Sequence, residues 1–149
     1  MSTIDIERVD HVGIRVKDWK RAAAFYEIFG FETIHAADND AVVVIRNPSD
    51  VEINLIYNAK EDTGGKNILM DVPEKYAGFT HLALRVGSVT ETLKVLKQHG
   101  IQIRQGPVTF GDGHVSIFIR DPDLNVIELR GRQQPEEEIE GLETYDPKG

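Results

Sequence analysis

One feature constrains the fold of this chain more than any other: it repeats itself at a fixed interval. His11 and His81, Arg15 and Arg85, Asp18 and Ser88, and Gly30 and Gly100 each stand 70 residues apart. A later pair of segments, Ile45-Arg46-Asn47-Pro48 and Ile119-Arg120-Asp121-Pro122, matches at an offset of 74. Repeats of this kind mark two supersecondary units with the same internal order. In the first, Val9–Val16 alternates as a strand, with Val12, Ile14 and Val16 on one face and His11, Gly13 and Arg15 on the other. Asp18 then caps a helix whose apolar stripe runs from Trp19 to Phe29 and which Gly30 ends. Strands are expected at Phe31–Ala36, Ala41–Arg46 and Val51–Tyr57. In the second, Thr80–Val86 repeats the first strand, and Ser88-Val89-Thr90-Glu91 is a capping box. Strands are expected at Ile101–Gln105, His114–Arg120 and Asn125–Arg130.

The chain is therefore expected to be α+β, built from two β-α-β-β-β modules. The expected boundaries are residues 1–57 for the first module, 58–78 for a connecting loop or flap, 79–132 for the second module and 133–149 for an acidic, loosely ordered tail. Leu142 and Tyr145 are the residues expected to dock that tail.

Composition narrows the function. A net charge of -8 argues against a nucleic-acid surface. The absence of cysteine excludes a disulfide framework, a zinc–thiolate site and a cysteine nucleophile, and fits a reducing compartment. No secretory signal is read in Met1–Glu7 and no apolar run approaches a membrane span, so a cytoplasmic location is expected, with no membrane partner.

Three residues carry the chemistry. His11 and His81 are repeat-equivalent and share the face opposite the aliphatic one. Glu128, between Ile127 and Leu129, points away from the side those two bury. A carboxylate fixed mid-strand is costly unless solvated, paired or bound to a cation. The repeat brings two imidazoles and this carboxylate onto matching faces, a set that suits a divalent metal with open positions.

With those residues in view, the chain resembles the vicinal-oxygen-chelate superfamily, which includes glyoxalase I, extradiol dioxygenases and bleomycin resistance proteins. The resemblance spans roughly Val9 to Arg130. It is carried by Asp10-His11-Val12, Phe25-Tyr26 with Gly30-Phe31, Thr80-His81-Leu82-Ala83, Gly106-Pro107-Val108 and Asp121-Pro122-Asp123 with Ile127-Glu128-Leu129. It implies that the two modules pair into a curved, cup-like mixed sheet with helices outside. It also implies one divalent metal ion (Zn, Ni, Mn, Co or Fe) held by His11, His81 and Glu128, a small-molecule substrate, and a homodimer in which Trp19 and Tyr26 face either a partner or the core.

The fourth ligand of glyoxalase I, a glutamate, does not carry over. Counting from the turn prolines places Asn54 where Glu128 stands in the second module, with Glu52 two residues earlier. Two residues span about 6.6 Å of strand, so both can meet one metal only if a bulge intervenes. Glu52 is left as ligand, general base or rim charge. Arg15 is a candidate for an anionic substrate tail or for an ion pair with Glu52, and His114 and Phe118 are further candidates for the substrate side.

The resemblance implies a glyoxalase I-like lyase or isomerase first, in which Glu128, with Glu52 as counterpart, moves a proton beside a metal-polarised carbonyl or enediolate oxygen. An extradiol-type dioxygenase using Fe(II) comes second: Asn54 permits it, while Phe118 and Leu124 depart from that family's pattern. A fosfomycin-type thiol transferase ranks below it. A non-enzymatic protein that sequesters a drug or metabolite is the remaining class, and the intact His11, His81 and Glu128 count against it.

Overall fold

The computed structural model describes residues 2–36, 41–60 and 64–145. Parts of the expected first module (37–40), connector (61–63) and tail (146–149) lie outside the described residues. Two compact units result, Met1–Asp62 and Thr63–Gly149. Among the described residues they hold two mixed sheets, of four and five strands, and two helices, an α+β fold.

In the first unit the elements are β1 (Val12–Arg15), α1 (Trp19–Glu27), β2 (Glu32–Ala36), β3 (Val42–Arg46) and β4 (Glu52–Ile56). The sheet order is β1-β4-β3-β2, with β1 parallel to β4 and the remaining pairs antiparallel. Asp18 caps α1 by accepting from the Lys20 and Arg21 amides at 2.9 and 3.3 Å. Ala22, Ala23 and Tyr26 are buried along the helix, and Tyr26 packs edge-on against Phe31. Tyr26 is 1% exposed, so it belongs to the core of its own unit. Val43, Ile45, Ile53 and Leu55 bury the aliphatic face. Gly13, Asn54 and Val44 are register partners and share the other face, as do Arg46 and Glu52.

The second unit contains β5 (Leu82–Arg85), α2 (Val89–Gln98), β6 (Gln105–Thr109), β7 (His114–Arg120), β8 (Val126–Arg132) and β9 (Glu143–Thr144). Its order is β5-β8-β7-β6-β9. Ser88 caps α2 through the Glu91 amide. Val115, Ile117, Ile119, Ile127 and Leu129 form the buried face. Ala83, Glu128 and Phe118 lie side by side on the opposite face, and Ser116 pairs with Arg130 beside them.

The turns joining the last two strands of each repeat are built alike. Asn47 Oδ1 accepts from the Ser49 and Val51 amides, and Asp121 Oδ1 from those of Asp123 and Asn125. Each turn ends on a non-glycine residue with left-handed backbone, Asp50 at φ 62° and Leu124 at φ 66°.

Several expected boundaries move. The first strand of each repeat is shorter than alternation suggests, so His11 and His81 sit in the lead-ins to β1 and β5 rather than in the ladders. The strand after α2 is Gln105–Thr109 and not Ile101–Gln105. Pro107 reads as a strand breaker, but the register shift between Gln105 and Val108 accommodates its missing N–H. A side chain at position 106 would stand 2.5 Å from the Ser116 carbonyl oxygen, so the glycine lets β6 approach β7. The described part of the tail, residues 133–145, packs on the second unit. β9 pairs with β6, Ile139 is 9% exposed, and Tyr145 stacks obliquely on Phe110.

In the connector, Asn67 Oδ1 accepts from the Leu69 and Met70 amides, and its side-chain amide donates to the Leu124 carbonyl. Arg120 donates to both carboxylate oxygens of Asp71, at 2.8 and 3.1 Å. These bonds fasten the segment to the β7–β8 turn of its own unit. Among the described residues no helix is long and apolar enough to cross a membrane.

Candidate metal centre

Each unit carries one half of the sequence-predicted site. In the first, Asp10, His11 and Glu52 offer three donor atoms within 4.8 Å of one another. The Asp10 carboxylate contacts His11 Nδ1 at 2.6 Å, and that hydrogen bond, followed by the imidazole's charge, holds the Asp10 carboxyl below its ordinary range. The nearer Glu52 oxygen to His11 Nδ1 is 3.9 Å away. Glu52 is engaged elsewhere: Arg46 Nη2 donates to its Oε1 at 2.6 Å. The β3–β4 ladder runs without a bulge from Val42↔Ile56 to Arg46↔Glu52, so nothing moves Glu52 into the position of Asn54. Asn54 occupies that position itself. Its Oδ1 is buried and accepts no hydrogen bond. Arg15, a candidate for an anionic substrate tail or an ion pair, donates through Nε to Asn58 Oδ1 at 3.0 Å.

In the second unit the donors are closer together. Thr80 Oγ1 lies 2.8 Å from His81 Nδ1, and His81 Nε2 lies 2.9 Å from Glu128 Oε1. Ser116 donates its hydroxyl proton to Glu128 Oε2 at 2.7 Å. Ser116 is fully buried and Glu128 is 9% exposed. Phe118 meets the His81 ring edge-on with centroids 5.7 Å apart. His114 lies apart from this group, its Nδ1 3.2 Å from the Asp112 carbonyl oxygen. Arg130 donates to Asp112 at 2.5 Å, which lowers the Asp112 carboxyl from its ordinary range.

In both cases the residue just before the histidine contacts its Nδ1, Asp10 at His11 and Thr80 at His81, while Nε2 of His81 meets Glu128. Sequence reasoning missed these two residues, Arg46 and Arg130; the repeat-equivalence of positions 10 and 80 was the signal that could have found the first two. The donor chemistry fits a divalent first-row cation. Imidazole nitrogen and carboxylate oxygen lie together within each unit, at His11 with Asp10 and Glu52 in the first and at His81 with Glu128 in the second.

The family model described as the glyoxalase/bleomycin resistance protein/dioxygenase superfamily matches residues 8–129. The chain belongs to this superfamily. A protein named probable lactoylglutathione lyase from Vibrio parahaemolyticus is 28% identical over 147 residues, 90% of this chain and 97% of that one. The virulence protein STM3117 of Salmonella typhimurium is 28% identical over 132 residues, 83% of each chain. Its crystal structure superimposes with a TM-score of 0.61 over 87% of this chain and 99% of that one, at 25% identity. A glyoxalase/dioxygenase from Nostoc punctiforme gives a TM-score of 0.66 over 89% and 100%, at 19% identity, a likeness of fold alone. The two halves of this chain carry His11 and His81 at repeat-equivalent positions and differ at another, Glu128 against Asn54.

Proposed function

We propose that this glyoxalase-superfamily chain is a divalent-metal-dependent lyase or isomerase that moves a proton between adjacent carbons of a small carbonyl substrate. His11, His81 and Glu128 are the residues that would hold the cation. When bound, such an ion supplies Lewis acidity toward a carbonyl oxygen. The remaining chemistry belongs to the chain. Glu128 accepts the proton from carbon and returns it. Ser116 holds one of its oxygens, and Phe118 supplies an apolar wall against His81. The observation that carries this reading is the buried Glu128 carboxylate set between an imidazole and a hydroxyl, a side chain that is rarely buried without such partners.

Metal analysis of the purified protein tests it first, with one equivalent per chain expected. A hemithioacetal isomerisation assay follows, with Zn, Ni, Mn, Co and Fe each supplied in turn. Stoichiometric metal with turnover is expected. A metal-free protein that stays inactive with every cation would instead favour sequestration of a small molecule.

The neutral Asn54 in place of a second carboxylate supports one alternative. A two-histidine, one-carboxylate set suits Fe(II) and ring cleavage of a catechol. Oxygen uptake with catechol and Fe(II), without hemithioacetal turnover, would select it. Assembly as a homodimer belongs to the same proposal, and sedimentation at micromolar concentration reads it directly.

A further inference from the structure

The strands around Glu128 and those around Asn54 can be laid over each other residue by residue. In the second unit Phe118 pairs with Glu128 and Ser116 with Arg130. In the first, at the constant offset of 74, Val44 pairs with Asn54 and Val42 with Ile56. The carboxylate therefore comes with a hydroxyl and a guanidinium on the next rung, while the amide comes with a valine and an isoleucine. A buried hydroxyl needs a partner, and a buried carboxylate needs donors. Ser116, fully buried, satisfies both needs by donating to Glu128 Oε2 at 2.7 Å. Its oxygen faces Arg130 Nη1 at 3.4 Å, and Arg130 is anchored through its other nitrogen on Asp112. Asp112 is fixed in turn by the His114 backbone amide at 3.1 Å. The Glu128 side chain is thus tied at Oε2 and turned so that Oε1 is the oxygen offered to His81.

We propose that Ser116, steadied by Arg130, is a positioning residue that fixes the orientation of the Glu128 carboxylate and thereby sets how tightly the chain holds its cation. This rests on the metal-dependent reading above. Residues that orient a ligand from behind typically change metal affinity by about 10–100-fold when removed. Serine differs from alanine by a single oxygen, so Ser116→Ala removes the bond at nearly constant volume. It leaves Glu128 free to rotate.

The test is titration of the metal-stripped full chain with Co(II), which reports coordination through its visible absorption. Four proteins are compared: the parent, Ser116→Ala, Ser116→Thr and Arg130→Gln. Ser116→Ala is expected to lose roughly 10–100-fold in Co(II) affinity and to show an altered absorption band. Ser116→Thr keeps the hydroxyl and is expected to retain affinity and spectrum. Arg130→Gln, at a partly exposed position, is expected to show a smaller loss and carries the test if Ser116→Ala does not fold. Unfolding temperatures measured without metal identify any general loss of structure. A parent that binds no Co(II) overturns both the functional reading and this one. A parent that binds it, with Ser116→Ala and Arg130→Gln equal to the parent in affinity and spectrum, overturns this proposal alone.

Discussion

At the ladder position where the second unit carries Glu128, the first carries Asn54. Two residues earlier the order reverses, with Glu52 in the first unit and Val126 in the second. The arginines follow. Arg46 binds Glu52 across β3 and β4, whereas its repeat-equivalent Arg120, opposite Val126, turns to Asp71. On this face β4 carries Glu52 and β8 carries Glu128, two positions apart in the repeat. Glu52 has the Arg46 guanidinium as its partner. Glu128 has the His81 imidazole and the Ser116 hydroxyl as its partners.

Glu128→Gln breaks this comparison hardest. It removes both charge and proton acceptor, so turnover is expected to fall by at least about 100-fold, with weaker metal binding read by titration. Asn54→Glu would make the halves alike at that position. It places a carboxylate beside Val42, Val44 and Ile56, and the metal-free chain is expected to lose about 1–3 kcal/mol of stability. Added metal should restore more stability to this variant than to the parent, read by thermal unfolding in both states. Glu52→Gln is expected to leave metal affinity and turnover near parental and to cost at most about 1 kcal/mol, since it loses a partly exposed ion pair. Lost metal would make Glu52 a ligand after all, and retained metal with lost turnover would make it a base.

The smallest effect concerns Arg120's partner. The Arg120 hydrogen bond, helped by the Asn67 amide, holds the Asp71 carboxyl down from the ordinary 3.8 to about 2. A depressed carboxylate contributes stability that is whole above pH 3.8 and is lost as pH falls toward 2. Solvent screening keeps the contribution to roughly 1 kcal/mol or less. Asp71→Asn should therefore flatten the acid limb of an unfolding profile across that window, while stability at pH 7 falls slightly.

Much of this was legible in the sequence because strand alternation and turn chemistry are local. The Pro48 and Pro122 turns set the count that put Asn54 opposite Glu128 in the repeat, and the ladders agree. What was not legible depends on register across strands. Arg15 and Arg46 both lie on the face of Glu52, and only the pairing Arg46↔Glu52 decides which one reaches it. The clasp on each histidine was hidden differently. Asp10 and Thr80 share a role but not a residue type, so similarity of letters could not reveal it. The tail's pairing escaped because Glu143 and Thr144 gain their place from β6, not from their own propensity.

Leu124 holds a backbone shape that suits glycine, at a cost of about 1–2 kcal/mol. Its carbonyl is gripped by Arg120 at 2.9 Å and by Asn67 at 3.2 Å. The connector thus acts as a brace on a bent spring. Among relatives, positions 67, 71, 120 and 124 should drift as a set: where a glycine relaxes the turn, selection on the other three slackens, and where a bulky residue stays, they stay with it.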